Sequence, residues 1–211
     1  VELGKQGQVI CRLKGGDPYL FGRGGEEAIA LADSGIEPIV IPGVTSASAI
    51  AAATGIPLTH REIARSVRFI TGHLALQKYI DDWPSLIAEH ETAVIYMGFS
   101  HIKDISRSFL KAGSDAATPV AIIQNGTLPD QKVVITTLEK VLTEDIFLDL
   151  KDGPILLIIG KVVTLRKSIK NDTTLYKTNT ENVLNVIEPS KLIHEEYLKE
   201  VPPEEERTIP L

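Results

Sequence analysis

The chain has 211 residues, 43% of them hydrophobic and 24% charged, with a formal net charge of −6. That length supports one large or two small globular domains, each able to bury a core. The single cysteine, Cys11, rules out an internal disulfide and fits a reducing compartment, and no apolar run is long enough to span a bilayer.

The first residues, Val1-Glu-Leu-Gly-Lys-Gln6, do not form a signal peptide. Gln8–Leu13 reads as a buried strand, which predicts a buried, inert thiol at Cys11. It empties into Arg12-Leu-Lys-Gly-Gly-Asp-Pro18 and then Tyr19-Leu-Phe-Gly-Arg-Gly-Gly-Glu-Glu27. Gly15 and Gly16 lack a Cβ, so the backbone there can take positive φ and approach a ligand closely. Arg12, Lys14 and Arg23 give the loop a cationic rim. A tight strand-to-helix turn with solvated charges explains the same residues. Gly25–Ser34 is predicted as a helix stopped by Gly35, and Pro38–Ile41 as a second short strand. Thr45 or Ser46 can cap the alanine-rich helix that ends at Gly55. The strand–helix–strand–helix order argues for a parallel sheet in an α/β layer.

Ile56-Pro-Leu-Thr-His-Arg61 reads as a linker, with a domain boundary near residues 57–66. Beyond it, Val67–Thr71 and Thr92–Met97 are strands, with a short helix over Trp83–Glu89 between them. A helix over Ile102–Ala112 stops at Gly113. Pro119–Gln124 and Lys132–Thr137 are strands around Asn125-Gly-Thr-Leu-Pro-Asp130, a loop too long for a two-residue hairpin turn. Leu138–Leu150 is a helix and Ile155–Ile159 a last apolar strand. This second part is predicted as a mixed sheet with helices. From Asn171 onward nine acidic residues face four basic ones, so the tail carries most of the net charge. The tail lacks periodicity except over Leu192–Val201 and reads as weakly ordered. The near-neutral body has no broad basic stripe of the kind that binds nucleic acid.

The five histidines show no metal-ligand spacing, and a Gly-x-Ser-x-Gly elbow, a P-loop and a Rossmann fingerprint are all absent. Gly15–Leu20, Pro42–Ala47, Tyr96-Met97-Gly98 and Gln124-Asn-Gly-Thr127 each follow a predicted strand, the usual place for a ligand in an α/β protein. Arg61, Arg65 and Arg68 with His60 and His73 form a second basic patch. It is either a solvated face or an anchor for carboxylates.

The run Arg12–Glu27 resembles the uroporphyrinogen-III C-methyltransferases, of the tetrapyrrole methylase family. So do Ile41-Pro-Gly-Val-Thr-Ser-Ala47, Gly55-Ile-Pro-Leu-Thr-His-Arg61, Phe69-Ile-Thr-Gly-His73, Val94-Ile-Tyr-Met-Gly98 and Asn125-Gly-Thr127. The likeness runs from about Gly7 to about Leu165. It implies the two-domain α/β tetrapyrrole methylase fold, with S-adenosylmethionine in the cleft between domains. Residues 1–60 would be the remainder of an incomplete first domain, 61–169 the second, and 170–211 an acidic tail. The implied reaction is two successive methyl transfers to uroporphyrinogen III, giving precorrin-2 on the route to siroheme and cobalamin. By the same resemblance Gly15, Gly16, Asp17, Leu20, Thr45, Ser46, Met97 and Gly126 would hold the cofactor. Arg12 and Arg23 would face the substrate's carboxylates. A cytoplasmic homodimer without nucleic-acid or membrane partners is expected. The family's opening Gly-x-Gly-Pro-Gly-Asp loop, and the segment with its acid/base Asp and Lys, have no counterpart here. No catalytic base is therefore assigned, and the sequence is expected to be a fragment. A non-catalytic binding or dimerisation module and a sibling methylase of later corrin precursors remain as alternatives.

Overall fold

The computed structural model describes residues 1–72, 90–144, 150 and 153–169. They lie within one compact unit, Val1–Asp172. The helix predicted at Trp83–Glu89, the periodic stretch Leu192–Val201 and His73 fall outside the described residues. In chain order the elements begin with helices α1 (Glu2–Lys5), α2 (Gly24–Ala32) and α3 (Ser46–Thr54), then strands β1 (Ser66–Thr71) and β2 (Glu91–Tyr96). Next come α4 (Ile102–Lys111), β3 (Pro119–Gln124), β4 (Lys132–Thr137), α5 (Leu138–Thr143), β5 (Ile155–Ile159) and α6 (Arg166–Ile169).

The five strands form one mixed sheet in the order β1-β2-β5-β3-β4. Only β1 and β2 run parallel; β5 is antiparallel to both β2 and β3, and β3 to β4. Side chains alternate along a strand, so each central strand feeds two cores. On one face Ala93, Ile95, Val120, Ile122, Leu157 and Ile159 meet Ile102, Ile105 and Phe109 of α4 and Leu138 and Val141 of α5. On the other, Val94, Ala121, Ile123, Leu156 and Ile158 meet Ala47 and Ile50 of α3, with Ile56, Ala64, Val162 and Val163. Burial on both faces is why these strands read as unbroken apolar runs. Each buried Ile or Leu contributes about 1.5–3 kcal/mol. The sheet is thereby a rigid floor, and α3 comes down onto it with its N-terminus beside the end of β2.

The prediction for residues 8–55 needs correction. The two helices form, with Gly35 and Gly55 in left-handed conformations after them. The strands Gln8–Leu13 and Pro38–Ile41 do not form, and no parallel layer is built there. Val9, Leu13, Ile39 and Ile41 are all exposed, and so is Cys11, whose thiol is not buried. The physical reason is pairing: among the described residues neither segment has a neighbouring strand, and an extended chain without a partner cannot bury its apolar side chains. A second correction is smaller. The helix predicted over Leu138–Leu150 gives way at Glu144, which is extended (φ −109°, ψ 149°); residues 145–149 lie outside the described part.

Candidate functional site

A cleft of about 490 Å³ opens where α3 meets the ends of β2 and β3. Its size is that of a small-molecule site. Ser46, Met97 and Gly126, three of the residues singled out in the sequence, line it together with Ile50, Tyr96 and Leu156. The backbone around it is unusual. Among the described residues the non-glycine positions with positive φ are Phe21, Arg23, Met97, Asn125 and Thr127. Met97, Asn125 and Thr127 lie in loops marked for a ligand, and Phe21 and Arg23 lie in the glycine-rich run. A β-branched residue such as Thr127, at φ +73°, is strained there, and such strain concentrates at sites where it orients groups.

The loop after β3 is held by its own side chains. Asn125 Nδ2 donates to Asp130 Oδ2 at 2.6 Å, and Thr127 N donates to Gln131 Oε1 at 2.8 Å. Gly126 packs so closely that an added Cβ would meet the Ile50 side chain. Gly98 is likewise enclosed, by Ile95 and Ile105, and this fixes the turn that leaves Met97 exposed. These contacts set the cleft's apolar wall.

Thr45 reaches the cleft through another residue. Its hydroxyl lies 2.6 Å from the Tyr96 hydroxyl, which also accepts the Ala47 N–H at 3.1 Å. The Tyr96 ring packs on Phe21 (centroids 4.8 Å apart) and edge-on to Phe69 (6.2 Å). Phe21 thus ties the glycine-rich run to the end of β2.

Gly15, Gly16, Asp17 and Leu20 form an adjoining loop and do not line that cleft. Asp17 braces it: Oδ2 accepts Gly43 N at 3.1 Å, and Oδ1 accepts Tyr19 N at 2.9 Å. The Gly43 and Tyr19 N–H groups, in that order, hold the Asp17 carboxyl below its ordinary range. A Cβ on Gly43 would strike the Gly16 carbonyl oxygen, so the Gly15–Leu20 and Pro42–Thr45 loops need a glycine where they touch.

The cationic rim is engaged by acids of α2. Lys14 Nζ and Arg12 Nη2 each sit 3.1 Å from one oxygen of Glu27, and Arg23 Nε is 3.3 Å from Glu26 Oε1. Lys14, then Arg12, hold the Glu27 carboxyl low. In the second basic patch, Arg65 Nε donates to the Arg61 carbonyl at 3.4 Å. Arg68 pairs with Glu91 at 3.2 Å, while Arg65 N bonds the His90 carbonyl at the opposite end of β2 from the cleft.

Tyr96 lies in the Tyr96-Met97-Gly98 loop marked in the sequence for a ligand, but it is not among the site residues named there. Its signal was present in Val94-Ile-Tyr-Met-Gly98: a tyrosine ending a buried strand needs a partner for its hydroxyl. Gly43, within the Pro42–Ala47 loop, is a point of loop contact.

A model of the tetrapyrrole (corrin/porphyrin) methylases matches residues 1–142. The siroheme synthase of Hahella chejuensis is 46% identical over 174 residues, covering 81% of this chain and 36% of that protein. The siroheme synthase of Azotobacter vinelandii is 47% identical over 169 residues, covering 80% of this chain and 36% of that protein. The chain therefore spans about a third of the length of the curated relatives it matches. Among solved structures, the uroporphyrin-III C-methyl transferase of Thermus thermophilus complexed with S-adenyl homocysteine superposes with a TM-score of 0.65 at 33% identity. That match covers 78% of this chain and 71% of the Thermus chain. A cobalt precorrin-4 methyltransferase shares the fold, with a TM-score of 0.65 at 24% identity.

Proposed function

The chain belongs to the tetrapyrrole (corrin/porphyrin) methylases, and from that premise we propose that its cleft binds S-adenosylmethionine for methylation of uroporphyrinogen III to precorrin-2. The observation that carries this reading is the convergence of Ser46, Met97 and Gly126 on one cleft, with Thr45 joined to it through Tyr96. The cleft's chemistry fits an amphiphilic nucleoside ligand. Ile50 and Leu156 offer apolar surface, Ser46 and Tyr96 offer hydroxyls, and Gly126 leaves a bare backbone. When bound, the donor supplies an electrophilic methyl on a sulfonium.

The chain's own residues position and recognise. Thr45, Ser46, Met97 and Gly126 hold the donor, and the Gly15, Gly16, Asp17 and Leu20 loop braces the segment that enters α3 through Gly43. Fixing donor and acceptor in line lowers the barrier by removing their freedom to misalign. Arg12 and Arg23 meet substrate carboxylates, which then compete with Glu27 and Glu26 for the guanidinium forks. The same reading takes residues 1–60 and 61–169 as two domains and 170–211 as a tail. It also makes the protein a cytoplasmic homodimer, with neither nucleic acid nor membrane as a partner.

A second reading, a binding or dimerisation module without catalysis, draws on the exposed Val9, Leu13, Ile39 and Ile41. Anaerobic incubation of the full chain with uroporphyrinogen III and methyl-labelled S-adenosylmethionine separates the two. The first reading expects label in precorrin-2. Binding of S-adenosylhomocysteine without any label transfer favours the second. Methylation of precorrin-2 but not of uroporphyrinogen III would point to a sibling methylase.

A further inference from the structure

The N-terminus of α3 is capped from outside. Ala47 is the second residue of that helix, and its N–H is among those that a helix start leaves without an intrahelical acceptor. Thr45 occupies the N-cap, from which a threonine hydroxyl ordinarily accepts such an N–H, yet it makes no capping bond. The Tyr96 hydroxyl takes the Ala47 N–H instead and meets Thr45 Oγ1.

Each hydroxyl has one proton to donate and can also accept. The Thr45–Tyr96 contact uses one of the two hydroxyl protons, and the Ala47 N–H uses a lone pair of Tyr96. One hydroxyl proton therefore stays uncommitted within this group. Either hydroxyl can donate in the Thr45–Tyr96 contact, but only Tyr96 lines the cleft; with Thr45 donating to it, the Tyr96 proton is the one left for a ligand.

We propose that Thr45 is a positioning residue, which with the Ala47 N–H occupies Tyr96 as an acceptor so that the Tyr96 hydroxyl, on the cleft wall, donates to the bound methyl donor. This rests on the reading that the cleft binds that donor. Thr45 and the Ala47 N–H supply orientation, and Tyr96 makes the contact.

The test is calorimetric binding of S-adenosylhomocysteine to the full chain, with thermal unfolding of each variant alongside. Tyr96→Phe keeps the ring against Phe21 and Phe69 and removes only the hydroxyl. It is expected to weaken binding about three- to tenfold, the size of one hydrogen bond. Thr45→Val should lose a similar factor, the double variant no more than either single one, and Thr45→Ser should bind like the wild type. A capping role alone would lower the unfolding midpoint of Tyr96→Phe and leave the folded protein's affinity untouched. Unchanged affinity in Tyr96→Phe, or losses that multiply in the double variant, would overturn the inference while the functional reading stands. No binding by the wild type would overturn that reading and this inference with it.

Discussion

Two stretches of this chain carry nearly the same apolar lettering and meet opposite fates. Ile155-Leu-Leu-Ile-Ile159 is the middle strand of the sheet, almost wholly buried. Ile39-Val-Ile41 is equally β-prone, yet Ile39 and Ile41 are 89% and 72% exposed. β5 has β2 on one side and β3 on the other, with α-helices over both faces. Residues 38–41 have no neighbouring strand among the described residues. Apolar, β-branched sequence proposes a strand; hydrogen-bonding neighbours decide whether it exists.

The comparison is tested most severely by truncation in each region. Ile158 is fully buried against α3, so Ile158→Ala should cost about 2–5 kcal/mol, lost transfer energy plus a cavity. Ile39→Ala should stay within about 0.5 kcal/mol. Urea unfolding of the two variants measures both. A loss at Ile39 rivalling that at Ile158 would mean that residues 38–41 are packed in solution, and the contrast drawn here would fail.

The same contrast explains what could be read in advance. β2, β3 and β5 were legible because two-sided burial writes itself as a run such as Val120-Ala-Ile-Ile123, bounded by Pro119 and Asn125-Gly126. The ends of α3 and α4 were legible because Gly55 and Gly113 take the left-handed turn that stops a helix. In the site, Ser46, Met97 and Gly126 could be picked out from their loops. The Thr45–Tyr96 bond could not, since it joins residues 51 apart and depends on how α3 lands on the sheet. Nor could the pairing of Arg12 and Lys14 with one carboxylate of Glu27, because a cationic loop looks free until the facing helix turn is placed. Residue type and local pattern survive in the sequence. Long-range pairings are decided only by packing.

Two glycines sharpen the comparison at smaller scale. Gly126 belongs to the tightly supported region, where a Cβ would press on Ile50; Gly126→Ala should cost about 1–3 kcal/mol through overpacking. It should also weaken S-adenosylhomocysteine binding by disturbing the cleft wall. Gly25, in the first turn of α2, has open space around it, and Gly25→Ala should stabilise by about 0.5–1 kcal/mol through helix propensity. Thermal unfolding of the pair reads both signs.

The smallest effect concerns the seam between the glycine-rich loop and the loop entering α3. The N–H groups of Gly43 and Tyr19 favour the ionised form of Asp17, so its folded pKa lies below the ordinary aspartate value of 3.8. A group lowered on folding contributes stability above its unfolded pKa and loses it as pH falls through its folded one. The Asp17 contribution is therefore complete near neutral pH, begins to fade near the ordinary aspartate value, and is gone in stronger acid. Asp17→Asn removes the charge but leaves an amide oxygen that can accept one N–H. The variant should be slightly less stable than the wild type at neutral pH, and the two stability curves should converge on acidification. The side chain is close to solvent, so the gap at neutral pH is small, and backbone amide exchange at Gly43 reports it more directly than global unfolding. Faster exchange at Gly43 in the variant at neutral pH, with the difference vanishing in acid, is the expected pattern. Equal rates at neutral pH would show that the loops are joined by the fit of Gly43 against Gly16 alone.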